Sequence, residues 1–308
     1  MDDPLLVGIR FALYAALMPL CGLPAFALYA LTTDEQRDPG LLPLRKSLLL
    51  LTLAGLTLTL CGLLIMAAAM MGISLFAVDA NTVKSILIDT PVGWAGIVRI
   101  VSLAVAVLIL VGFWQKPCWA YAGTTLFGGT ALITLLWNGH AGATDGYIGT
   151  IHRISDGLHM LAAAFWIGAI AAFGIMLARS AKPASHLHLT TIRRALDQFG
   201  RVGAILVGVI VATGLINSEM IFAVVNWPRL IGTPYGWLLS AKLVAFCAML
   251  LCAAANKWRL TPALDPAADA HQRGFAVAAL RRSLVVEATS ATLVLALVAW
   301  LGTLVPVP

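Results

Sequence analysis

Apolar positions run through this chain in long unbroken stretches, and the polar positions fall in short clusters between them. Apolar runs of roughly 18 residues or more, enough to cross a bilayer as a helix, occur at about 5–31, 47–71, 93–113, 118–138, 152–177, 202–222, 237–255 and 284–305. The pattern predicts an all-α integral membrane protein, a bundle of eight transmembrane helices forming one membrane domain over 1–308. The segments between runs are short, and the longest, 178–200 and 256–283, are rich in Arg, Lys and Pro. No internal repeat of the two four-helix halves stands out residue by residue, although an even number of spans in each half would make the halves parallel.

Composition agrees with the pattern. The chain is 60% hydrophobic and only 11% charged, with a mean hydropathy of +0.93, where soluble domains carry about 25% charged residues. The acidic start Met1–Asp2–Asp3 stands where a secretory leader is basic, so the first run is expected to be a retained span. Five cysteines (21, 61, 118, 247, 252) are scattered through apolar runs, an arrangement expected of free thiols and not of a disulfide framework.

The net charge of +6 reflects where the cations lie. Arg37, Arg45, Lys46, Lys116, Arg179, Lys182, Arg193, Arg194, Arg201, Lys257, Arg259, Arg273, Arg281 and Arg282 all fall in alternate loops, and the opposite loops hold only Lys84, Arg153 and Arg229. By the positive-inside rule the basic loops are cytoplasmic and both termini periplasmic, as in a bacterial inner membrane. Trp94, Trp137, Trp227 and Trp237 then mark the outer interface, and Trp114, Trp119 and Trp258 the inner one. This reading of the charge makes a nucleic-acid partner unnecessary; the bilayer is the partner.

Ionisable residues inside spans are costly and tend to mark ion or proton sites. His152, Asp156 and His159 stand at i, i+4 and i+7 on the fifth span and share one face. His140 closes the fourth span at the same outer level, with Arg10 and Arg99 on spans one and three, Asn217 and Glu219 ending span six, and Lys242 on span seven. Met66, Met70 and Met71 end the second span at that level, and Met160 adjoins His159. Imidazole and thioether together suit copper, Cu(I) or Cu(II), and Asp156 can orient an imidazole as a ligand. The candidate metal residues are therefore His140, His152, Asp156, His159, Met160, Met66, Met70 and Met71. Glu219, Lys242, Arg99 and Asn217 are candidates for gating or for shaping the field, and Cys247, Met249 and Cys252 for an inner path. Against these stand plainer readings: thioethers and thiols as filler, a Glu219–Lys242 pair as structural glue, Arg10 and Arg99 snorkelling outward, and Glu287 pairing with Arg281 or Arg282.

The runs F-G-R-V-G (199–203), A-T-G-L-I-N (212–217), T-P-Y-G-W-L-L-S-A-K (233–242) and A-A-A-N-K-W-R-L-T-P (253–262), with D-G-L-H-M-L-A-A-A-F-W-I-G (156–168), resemble the copper resistance protein D family (CopD/PcoD), most strongly over 150–300. The resemblance implies copper homeostasis at the inner membrane, copper passing from periplasm to cytoplasm, and a separate CopC-type periplasmic copper-binding partner. It supplies no ligand set residue by residue.

Three functions follow as expectations. The first is a copper transporter, receiving the ion in an outer vestibule. The second is a haem- or quinone-binding redox protein, which needs two histidines at matching depth on facing helices, here His140 with His159 or His152. The third is a copper chaperone or sensor without net transport. No phosphate-binding loop or nucleophile–base arrangement is present, so neither ATP-driven pumping nor any other enzyme activity is expected.

Overall fold

The computed structural model describes residues 4–139, 142, 146–179, 186–264 and 269–305, and every regular element among them is helical. Eight helices are long and apolar enough to cross a membrane: α1 (Pro4–Ala30), α2 (Leu44–Met71), α3 (Pro91–Gly112), α4 (Pro117–Asn138), α5 (Gly146–Arg179), α6 (His188–Phe222), α7 (Pro234–Leu260) and α8 (His271–Leu301). This is the layout of a multi-pass membrane protein.

Two helices exceed their apolar runs. The segments expected as long basic loops are largely helical, because they are amphipathic. Ile192, Ala195 and Leu196, at i, i+3 and i+4, bury one face of the first turns of α6. Ala276, Leu280 and Leu284 do the same for α8. Hydropathy alone stops at the apolar core and misses such extensions.

The bundle is organised about α1 and α5, which pack along each other. Where they cross, Gly22 meets Gly168 main chain to main chain, and a methyl group on either would run into the other's backbone. Helices α2, α4 and α8 flank α1, α6 and α8 flank α5, and α7 packs on α8. Both ends of the chain lie together: Arg10 Nη1 donates to Asn138 O, and its guanidinium abuts Gly302 beyond α8. At the opposite end Arg194 pairs with Glu35, Arg179 donates to Pro39 O at 3.2 Å and Lys257 to Gly200 O at 3.0 Å. The basic loops thus gather at one end and the termini at the other.

The structure adds a local likeness between the two halves that does not stand out in the sequence. Helices α3 and α7 open with the same pentapeptide pattern, T-P-V-G-W (90–94) and T-P-Y-G-W (233–237). In each, the threonine hydroxyl caps the glycine N–H at 3.0 Å and proline takes the first turn. In each, the glycine lies so close to the preceding short helix, Ala80–Asp89 or Trp227–Leu230, that a side chain would strike its backbone. Nine residues after each threonine comes an inward cation, Arg99 or Lys242. Arg10 and Asp156 likewise stand twelve residues before the facing glycines Gly22 and Gly168. Two parallel four-helix halves are therefore legible once the caps are seen in space; a five-residue signal separated by 143 positions is too short to stand out from sequence.

Candidate functional site

The polar face of α5 is packed against the A-T-G-L-I-N stretch of α6. His152 is buried, with 1% of its surface exposed, as is Ser155, whose hydroxyl donates to Thr213 O at 3.3 Å. Asp156 Oδ1 accepts from Asn217 Nδ2 at 3.2 Å. His159 Nδ1 stands 3.0 Å from Thr213 Oγ1, its ring lying beside the Gly214 main chain. Thr213 and Asn217 are four residues apart and so reach the same neighbour.

This geometry sets the histidine tautomer. The single proton of the Thr213 hydroxyl is directed to Val209 O at 2.5 Å, which leaves the oxygen as acceptor toward the ring. His159 Nδ1 therefore donates, and in the neutral ring Nε2 keeps its lone pair, as a metal ligand or proton acceptor requires. Thr213 was not among the residues picked out from sequence, although it lies inside a quoted run; a threonine four residues before an intramembrane asparagine was the available signal.

Lys242 enters the same cluster from α7. Asp156 is the charged group that faces it, and Asp156 is faced in turn by Lys242 and Arg10. Buried Tyr14 joins this network to the first half, with Arg10, Asp156 and Arg99 as its charged neighbours. Lys242 therefore looks toward Asp156 on α5, while Glu219 is exposed on α6.

The remaining candidates divide on either side of α1. Met66 is half-buried and lines a cleft with Arg10, Arg99 and Asn138. Its helix packs on α1 and α3, away from the α5–α6 contact that holds His159. Met70 and Met71 are each 57% exposed at the end of α2. Met160 is buried in the main core, turned away from the His159 face by its one-residue offset. Arg99 does not snorkel: it is buried, with Nε donating to Thr134 Oγ1 at 2.7 Å and Nη2 to Thr134 O at 3.2 Å. Cys247 faces outward, Cys252 is half-buried and Met249 buried, so these three present different faces of α7. His140 lies outside the described residues. Among the described residues no three of His, Cys, Asp and Glu converge as a metal-binding group.

A second buried polar cluster lies toward the basic end. Glu287, 2% exposed, accepts from Asn256 Nδ2 at 2.5 Å, while Arg281 donates to Leu177 O at 2.8 Å. The expected pairing of Glu287 with Arg281 is replaced by an amide, because α7 winds into a π-turn over Asn256–Leu260 that turns Asn256 toward α8. The Trp166 indole and the Ser283 hydroxyl lie beside the same carboxyl without closing a hydrogen bond.

Comparison with known proteins covers both halves. Residues 1–150 match the family described as copper resistance protein D-like, N-terminal domain, and residues 193–301 match copper resistance protein D. The chain is 36% identical over 309 residues, 99% of its own length and 98% of the relative's, to copper resistance protein D of Pseudomonas syringae pv. tomato. The chain belongs to the copper resistance protein D family. A shorter stretch of 144 residues, 46% of the chain and 24% of the relative, is 30% identical to copper transport protein CutJ of Bacillus subtilis (strain 168). No solved structure matches. In this copper resistance protein D chain the N-terminal match holds Arg10, Met66 and Arg99, the C-terminal match holds Thr213, Asn217 and Lys242, and the α5 segment with His152, Asp156 and His159 lies between them.

Proposed function

We propose that this protein carries copper across the bacterial inner membrane from periplasm to cytoplasm, with both termini periplasmic. The observation that carries the reading is the Asp156–His159 face of α5, where a buried carboxylate adjoins an imidazole whose Nε2 is left open by Thr213. Family membership points to copper, and the gathering of basic loops at the end opposite the termini supports the orientation. Met70 and Met71, exposed on the rim, are placed to take the ion from a separate CopC-type donor, and Met66 stands one turn further in. His152, nearer the outer end of the same face, and His159 below it then replace thioether by imidazole.

Lys242 gives the site its control. Its ammonium is a cation already facing Asp156, so an arriving copper ion and Lys242 compete for one carboxylate. A metal ion is held only while the lysine is displaced, and the lysine's return favours release.

The test is copper flux into proteoliposomes beside copper content of the purified protein, for the native chain and for His152→Ala/His159→Ala. Uptake and bound copper both fall in the double variant on this reading. Unchanged copper content would remove the site, and binding without flux would turn the protein into a copper chaperone or sensor. The haem alternative gains nothing from the described residues, where His152 and His159 share one helix and offer no facing pair.

A further inference from the structure

The repeat pairs each half's first helix with a cation from its third, but the two halves are charged differently. In the second half Lys242 faces the carboxylate Asp156. In the first half the position equivalent to Asp156 is Arg10, so Arg99 shares its cleft with a second guanidinium. Arg10 is 7% and Arg99 3% exposed. Their hydrogen bonds go to neutral groups: Arg10 to Asn138 O and the Tyr14 hydroxyl, Arg99 to the Thr134 hydroxyl and carbonyl. Arg10 Nε is buried with no partner. Among the described residues, the carboxylate that faces this network of three cations, Arg10, Arg99 and Lys242, is Asp156.

A buried charge without a counter-charge costs several kilocalories per mole even when its N–H groups are satisfied, because neutral acceptors solvate without neutralising. Lys242 and Arg10 already divide Asp156, so the deficit is greatest beside Arg99. There the two arginines, Met66, Gly62, Gly96 and Asn138 line a cleft of about 20 Å³. That is room for about one water-sized particle, which suits a monatomic anion better than phosphate, sulfate or a carboxylate.

We propose that this cleft is a halide site, in which chloride held between Arg10 and Arg99 supplies the negative charge that Asp156 supplies in the other half. The anion accepts from Arg10 Nε and from the face of Arg99 not engaged by Thr134. It thereby fixes Arg10, which also faces Asp156, and so sets the field at the neighbouring site from across α1.

The experiment is equilibrium dialysis of the purified full-length protein against radiochloride in gluconate buffer, without copper. A single saturable chloride per chain is expected, displaced by bromide and not by sulfate or gluconate. Arg99→Gln abolishes it, Met66→Phe abolishes it by filling the cleft with both arginines intact, and Lys242→Gln, outside the cleft, retains a saturable site. Absence of saturable binding to the native protein overturns the proposal whatever the variants do. Binding that survives both cleft variants, or that sulfate or phosphate displaces as readily as bromide, overturns it as well. The measurement reads anion binding alone, so it stands apart from whether the chain moves copper.

Discussion

Asn217 on α6 donates to Asp156 on α5 across 3.2 Å, one turn from the Thr213–His159 contact, so a single face of α6 holds both the carboxylate and the imidazole of the proposed copper site. The two contacts act differently. Asn217 restrains an acceptor that also faces Lys242, whereas Thr213 decides which ring nitrogen carries the proton.

Thr213→Val keeps the shape of the side chain and removes that acceptor. Copper affinity is expected to weaken by about 10- to 100-fold, the usual cost of losing a partner that orients a ligating histidine. Thr213→Ser should restore it. Competition against a chromophoric copper chelator reads both, and an unchanged affinity in the valine variant would show that Nε2 of His159 is not the ligand.

Lys242→Gln removes the cation that competes for Asp156. Copper should bind more tightly, by about tenfold or more given the strength of charge–charge interaction in a partly buried site, while turnover in proteoliposomes falls because release loses its competitor. Asp156→Asn should weaken binding. Equal and parallel changes in affinity and flux in the lysine variant would leave no role for competition.

At the basic end, burial raises the Glu35 carboxyl, but this is outweighed by the Thr32 N–H, the hydroxyls of Thr191 and Thr32, and Arg194, which together hold it below the usual carboxylate range. A carboxylate depressed by folding contributes stability that is present above its unfolded value and is lost as pH falls through its folded value. The thermal stability advantage of the native protein over Glu35→Gln should therefore be full at neutral pH and shrink on acidification below the ordinary glutamate range. A difference that stayed constant through that range would detach Glu35 from the docking of the short helix Thr33–Arg37 against α6.

Asn256→Ala should destabilise the protein by roughly 1–3 kcal/mol by leaving Glu287 buried without its donor. Glu287→Gln, which keeps the amide partner, should cost less. Denaturant melts of the two purified variants in detergent distinguish them, and the opposite order would show that the charge at Glu287 matters more than the hydrogen bond.

Much of the fold is legible in the sequence because the bilayer imposes it: span number and approximate limits follow from hydropathy, and the basic loops do gather at one end. The polar starts of α6 and α8 escape because Ile192 and Ala276 bury faces that an average over apolarity cannot see. Part of the polar cluster was legible too, since Asp156, Asn217 and Lys242 do come together. Azimuth was not. Met66 lines a cleft with Arg10 and Arg99 whereas His159 meets Thr213 on α6, a separation set by helix packing such as that of Gly22 on Gly168, which looks in sequence like any small-residue pair. The tautomer of His159 depended on a third residue, Thr213, whose own proton had first to be placed.

The crossing of Gly22 over Gly168 has a mechanical consequence. Main chains in direct contact leave no side chain between α1 and α5 at that point, so their separation there is set by backbone alone. Since α1 carries Arg10 and α5 carries Asp156, a methyl group at either glycine would spread the two helices that bring this charge network together.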